Sequence, residues 1–211
     1  MEGKLFNRDI YIAVFTIAFI LTGFTSALNG SDELDRYISE NNKIKTLHAR
    51  FEQTKHLSIM ESDHLSYGYI KFKRDRKLIW ALENPYSYKF IINGKKIIRD
   101  YPQLNEREEY NIDENLQLKA LFENIFMLMG LIGKNEIKET YLVSIKENNT
   151  IALIPKNPQF KKYISGIILK LNNKYLVSSI KLIEPSGDYT LIMFSDIETN
   201  IDINDSEFGL N

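Results

Sequence analysis

From Leu47 apolar side chains recur with a period of two, and turn residues interrupt the apolar runs at short intervals as far as residue 101. A period of two is the spacing of a strand with one buried face, and short turns between such runs make neighbouring strands antiparallel. Leu47, Ala49 and Phe51 open the pattern, with Leu57 and Ile59 further along the same face. Strands are expected at about 67–74, 77–83, 87–92 and 95–101. Asn93-Gly94 is the strongest local hairpin signal, because both residue types tolerate positive φ.

On either side of this block the pattern changes. Asp32 and Glu33 favour a helix start through the macrodipole, and Leu34, Tyr37, Ile38 and Ile44 give that helix a thin apolar stripe. A second helix is expected over 113–132, with Asp113 as its cap. Leu116, Ala120, Leu121, Ile125, Leu128 and Ile132 form its stripe, which Phe122, Phe126, Met127 and Met129 widen. A helix so apolar must be covered on more than one side, as ordinary core or as the lining of an apolar cavity. Strands return at about 138–146, 150–155, 162–171, 174–184 and 188–197, with turns at Glu147-Asn-Asn149, Asn172-Asn173 and Pro185-Ser-Gly-Asp188. About nine or ten strands split by one apolar helix imply a mainly β (α+β) fold: one curved antiparallel sheet or barrel with helices at its mouth.

The N-terminus reads as a targeting segment. Lys4 and Arg8 precede an apolar run from Ile10 to Leu21, followed by Thr25-Ser26-Ala27. That order is a secretory signal cleaved after Ala27, leaving 28–211 as a single domain; an uncleaved membrane anchor is the alternative. The absence of cysteine excludes disulfides, thiol catalysis and a lipid-modified cysteine. A formal net charge of -1 gives no general attraction to nucleic acid. His48, His56 and His64 are spaced eight apart, about 26 Å along a straight strand, so the first two cannot share a metal there. Glu106, Glu108 and Glu109 read as a solvated loop, not a pair of catalytic acids. No nucleophile–base motif or phosphate loop is visible, and neither catalytic residues, metal nor cofactor is expected.

Several segments fall in a familiar order. Phe51-Glu-Gln53 is followed by Gly68-Tyr-Ile-Lys-Phe-Lys73-Arg74, then Leu78-Ile-Trp80, Pro85 and Phe90-Ile-Ile-Asn93-Gly94. Phe126-Met127-Leu128, Leu153-Ile-Pro155-Lys156, the strand after Asp188 and the tail toward Phe208 continue it. This order resembles the LolA-type periplasmic carriers of outer-membrane lipoproteins, over most of residues 34–208. The resemblance implies an incompletely closed antiparallel β-barrel with lid helices over an apolar cavity that accepts lipoprotein acyl chains. By position, Arg74 falls on the family's lid-binding arginine, Leu78 on its cavity phenylalanine and Trp80 on its strand tryptophan. Asp75 stands where the family usually has Pro, and Leu78 replaces an aromatic.

The resulting candidate acyl site comprises Arg74, Leu78, Trp80, Phe51 and Phe90 from the strands. The central helix adds Leu121, Phe122, Ile125, Phe126, Met127 and Met129. The implied function is a non-enzymatic, monomeric periplasmic carrier between an inner-membrane lipoprotein-releasing complex and an outer-membrane acceptor. Alternatives are a lipid-sensing regulator of the RseB type and a membrane-anchored envelope-assembly module. The basic run Lys71, Lys73, Arg74, Arg76, Lys77 reads either as a solvated strand edge guarding against aggregation or, at Arg74, as a lid latch.

Overall fold

A computed structural model describes residues 30–114 and 134–209. The chain begins with helix α1 (Gly30–Asn42) and continues through β1 (Thr46–His56), β2 (His64–Lys73) and β3 (Lys77–Asn84). Next come β4 (Tyr88–Asn93), β5 (Lys96–Tyr101), β6 (Glu106–Asn111) and a 3-10 turn at Ile112–Glu114. After the central segment follow α2 (Lys134–Thr140), β7 (Tyr141–Lys146), β8 (Thr150–Pro155) and the short α3 (Pro158–Lys161). The chain closes with β9 (Gly166–Leu171), β10 (Val177–Ile183), β11 (Tyr189–Thr199) and a 3-10 turn at Asp205–Phe208. The strands pair in the order β6-β5-β4-β3-β2-β1-β11-β10-β9-β8-β7, an 11-stranded sheet that is not closed. The expected mainly β, antiparallel architecture is therefore found.

Two compact units divide the described residues. One takes in 53–64 and 134–192 with the first half of α1. Strand β8 alternates strictly, with Ile151, Leu153 and Pro155 buried and their neighbours less so, and β9 follows with Ile167, Leu169 and Leu171 buried. That is the pattern of a sheet with one covered face.

The other unit, containing 37–52, 65–114 and 193–209, buries both faces of its sheet. Consecutive apolar pairs mark this in the sequence: Leu78-Ile79, Ile91-Ile92 and Ile97-Ile98. Side chains alternate across a strand, so each pair sends one member to each face. Leu78, Ile92 and Ile97 join Ala49, Ile70, Phe72 and Ile112 in one core. Ile79, Ile91 and Ile98 join Ala81, Ile203 and Phe208 in the other, so the C-terminal segment covers that second face.

Two glycines carry particular conformations. A Cβ at Gly68 would stand 1.9 Å from the Ala81 carbonyl oxygen and 2.8 Å from Phe51 Cζ, so only glycine lets β2 approach β3 there. Gly94, at φ 62°, turns the β4–β5 hairpin. Asn93 pairs with Lys96, which makes Gly94-Lys95 the two central residues rather than Asn93-Gly94. Glycine at the first central position is the demand of a type II′ turn.

Other expectations need correction. Glu106–Asn111 is strand β6, paired with β5, and not a loop. Residues 134–140 and 158–161 are helical, so the strands expected from 138 and 162 begin later, at Tyr141 and Gly166. Ile59 lies beyond the end of β1 and is 93% exposed. At the start of the second expected helix, Asn111 Oδ1 accepts from the Asp113 N–H while the Asp113 carboxylate pairs with Lys95. Asn111 thus caps the 3-10 turn at Ile112–Glu114, while the helix that Asp113 was expected to cap lies outside the described residues. Residues 1–29, with the targeting segment, and 115–133, with Leu121, Phe122, Ile125, Phe126, Met127 and Met129, lie outside the described residues.

Candidate functional site

The turn between β2 and β3 places Arg74 against the C-terminal end of α1. A helix ends with carbonyls that have no partner of their own, and its negative dipole end favours a cation. No basic residue occupies the last turn of α1, and Arg74 supplies the charge from across the fold. Its Nε donates to the Ile44 carbonyl at 2.5 Å, and its Nη2 donates to the carbonyls of Asn42 at 2.7 Å and Asn41 at 3.1 Å. The Arg74 backbone N–H donates to Lys45 O at 2.8 Å. Asn41, itself buried, donates its side-chain amide to Tyr37 O at 2.7 Å. The fork of a guanidinium is suited to several acceptors at once, which an ammonium could not hold in this geometry.

This turn differs from the one that a proline would make. Asp75 has φ 72° and Arg76 has φ 61°. Proline is locked near φ of about −65°, so it cannot occupy position 75 in this conformation.

The basic run is not a strand edge, because β2 and β3 are interior strands of the sheet. Lys73 and Lys77 each reach Asp205 at 2.7 Å, Lys71 pairs with Glu207, and Lys73 also donates to Ile203 O at 3.1 Å. Hydrogen bonds from Lys73 and Lys77 hold the Asp205 carboxyl down at about 2. Three lysines therefore fasten the C-terminal segment, Arg74 meets the end of α1, and Arg76 is exposed.

On the face of the Leu78 core lies an aromatic group. Phe51 stacks on Trp80 with ring centroids 4.4 Å apart, and Phe194 meets both rings edge-on at 6.5 Å. Trp80, Phe90 and Phe194 are half-buried and pack on the core, whereas Leu78 and Phe51 are buried. The structure thus brings four of the expected residues, Phe51, Leu78, Trp80 and Phe90, to one face. Phe194 was missed, although its place in the alternating run 189–194 was visible.

A polar group on the same face was also missed. Arg99, only 7% exposed, donates to the Tyr101 hydroxyl and pairs with Glu108 at 3.2 Å. Tyr110 donates to Glu108 at 2.8 Å, and the rings of Tyr88 and Tyr101 lie 4.9 Å apart. Burial raises the Tyr88 phenol well above its ordinary range.

The histidines serve local contacts. His48 lies 3.5 Å from Glu198, His56 lies 2.7 Å from Asp63 and stacks on Tyr189, and His64 meets the sulfur of Met60.

The family model of the outer membrane lipoprotein carrier protein LolA matches residues 42–211. The chain belongs to the LolA family. An outer-membrane lipoprotein carrier protein of Francisella philomiragia is 29% identical over 204 residues, covering 92% of this chain and 90% of that one. The Pseudomonas putida protein of the same description is 23% identical over 198 residues, covering 93% and 92%. Among solved structures, an uncharacterized conserved protein from Thermus thermophilus superposes with a TM-score of 0.52 at 7% identity, over 87% of this chain and 94% of that one. That last likeness concerns the fold alone.

Proposed function

We propose that this LolA-family chain carries the acyl chains of lipoproteins through the periplasm. It takes them from a release complex at the inner membrane and hands them to an acceptor at the outer membrane. The observation that carries this reading is the half-buried aromatic face of Trp80, Phe90 and Phe194, laid over a closed apolar core. Aromatic rings left partly open on an otherwise packed face suit a flexible apolar ligand. Each methylene moved from water onto such a surface contributes about 0.8 kcal/mol. Ten of them contribute about 8 kcal/mol, enough to hold a lipid tail in water without any covalent step. The protein in this reading is a carrier and not an enzyme.

Release requires a competing state. Arg74 is the latch: its bonds to the end of α1 stabilise an empty form against which ligand binding has to work. The proposed acyl contacts also include Leu121, Phe122, Ile125, Phe126, Met127 and Met129, on the family resemblance alone, and residues 1–27 are removed on export. Native mass spectrometry of protein taken from the periplasmic fraction of its own host tests the whole reading. The expected species begins at Leu28 and carries an acylated protein or lipid. A lipid-free chain that retains residues 1–27 and is found only in membranes would overturn it.

A further inference from the structure

Strand register aligns one row of side chains across the sheet, on the face that carries the aromatic group. Trp80 pairs with Phe90, Phe90 with Arg99, and Arg99 with Glu108. Directly paired residues project to the same side of a sheet, with strands about 4.8 Å apart. The row therefore runs from two half-buried aromatic rings to a guanidinium and a carboxylate within about 15 Å. Tyr101 accepts from Arg99 and lies beside it, and Tyr88 lies beside Tyr101.

A charge facing inward at a sheet edge can serve merely to prevent aggregation. Arg99 does not fit that role, because β5 lies one strand in from the edge and the outermost strand, β6, already carries Glu106, Arg107, Glu108 and Glu109. Holding a guanidinium at 7% exposure costs free energy unless acceptors surround it. Glu108 is exposed on the edge strand, so the pair that it makes with Arg99 is open to water on that side.

We propose that Arg99, with Tyr101 and Tyr88, binds the polar head of the amphiphile whose acyl chain lies on Trp80 and Phe90. The head is uncharged and rich in carbonyls, the chemistry of the ester and amide groups of an acylated protein N-terminus. Charge decides this against an anionic phospholipid: Arg99 and Glu108 sum to zero, so a phosphate entering the site meets the Glu108 carboxylate without a surplus cation. Carbonyl oxygens instead accept from the guanidinium with Glu108 still paired to it, so no charge is left unopposed. This inference rests on the carrier reading and specifies which part of the cargo is recognised.

The test uses the mature chain and three probes: the apolar dye N-phenylnaphthylamine, a triacylated cysteine peptide amide and phosphatidylglycerol. Both amphiphiles are measured by dye displacement and by the emission of Trp80, the one tryptophan of the chain. Wild type is expected to prefer the triacylated peptide over phosphatidylglycerol. Arg99→Met should weaken peptide binding about tenfold or more and leave dye affinity within about twofold. Glu108→Gln, an exposed change that leaves the core intact, should strengthen phosphatidylglycerol binding severalfold without affecting the dye. Equal losses for dye and peptide in Arg99→Met, or no effect of Glu108→Gln on lipid preference, would overturn the inference. Failure of wild type to bind either dye or peptide would instead overturn the carrier reading on which it rests.

Discussion

Replacing Arg74 with leucine removes three hydrogen bonds from the end of α1 and leaves the backbone bond to Lys45 in place. A hydrogen bond to a charged group contributes about 1.5–3 kcal/mol when shielded and less at the surface. The bonds to Ile44 and Asn41 are part-buried, and the one to Asn42 is exposed and readily replaced by water. Taking about 1.2 kcal/mol for each of the first two and about 0.5 for the third gives a loss of about 3 kcal/mol. If that loss falls on the docking of α1 and not on the whole fold, the open population of the helix rises by about two orders of magnitude. Hydrogen exchange measured by mass spectrometry reads this directly. Amides of 38–44 should lose about a hundredfold of protection in Arg74→Leu, while β3 and β4 keep theirs. Arg74→Lys, which keeps the charge but not the fork, should fall between the two, and Arg76→Leu should match wild type. In a transfer assay Arg74→Leu should still accept acylated cargo and release it poorly, because the competing closed state is gone. Unchanged exchange in α1, or parallel losses in α1 and the strands, would refute the latch.

Two further predictions concern stability. Gly68→Ala places a methyl group against the Ala81 carbonyl, so the β2–β3 ladder must part; a loss of about 3 kcal/mol is expected by urea unfolding. In the other unit, burial lifts the Glu184 carboxyl from its ordinary 4.5 to about 7, despite its pairing with Lys55, and its Oε2 is buried with no hydrogen-bond partner. A folded-state value above the unfolded one stabilises the protein fully below pH of about 4.5, and this contribution is lost as pH rises through about 7. Glu184→Gln abolishes that titration, so its stability relative to wild type should rise by at most about 3 kcal/mol between those pH values. A relative stability that stays flat over this range would mean that Lys55 keeps the carboxylate ionised.

Strands β2 to β5 were legible because each is a short apolar run bounded by turn residues. Strand β6 was not: Glu106, Arg107, Glu108 and Glu109 have no apolar period, since an edge strand draws its order from pairing with β5 and buries little. Helix α3 carried a signal, just before the expected strand, that was not read. Asn157 precedes Pro158 and accepts from the N–H groups of Gln159 and Phe160, the ordinary chemistry of a helix start. The aromatic members of the candidate site could be found from one strand at a time. Arg99 could not, because its meaning depends on the register that sets it beside Phe90 on one side and Glu108 on the other. Periodicity within a strand reports which face a residue occupies; only pairing reports its neighbours on that face.

The same distinction separates the residues of the basic run. Lys71, Lys73 and Lys77 share a strand pair with Arg74, yet they hold a different object. Their partners Asp205 and Glu207 lie between Ile203 and Phe208, which are buried against β3, β4 and β5. Burial of two such side chains contributes about 2–3 kcal/mol each, and partly exposed ion pairs add much less. Apolar contact therefore holds the C-terminal segment, and the lysines fix its register. At the end of α1 both kinds of contact act: Tyr37 and Ile44 are buried, while of the three carbonyls that Arg74 meets only that of Asn42 is exposed to water. A contact of that kind can be exchanged at modest cost, whereas separating Phe208 from its core cannot. The C-terminal segment that covers one face of the sheet is thus part of the fixed frame, and in the proposed carrier the Arg74 contact is the one that the Arg74→Leu exchange measurement probes.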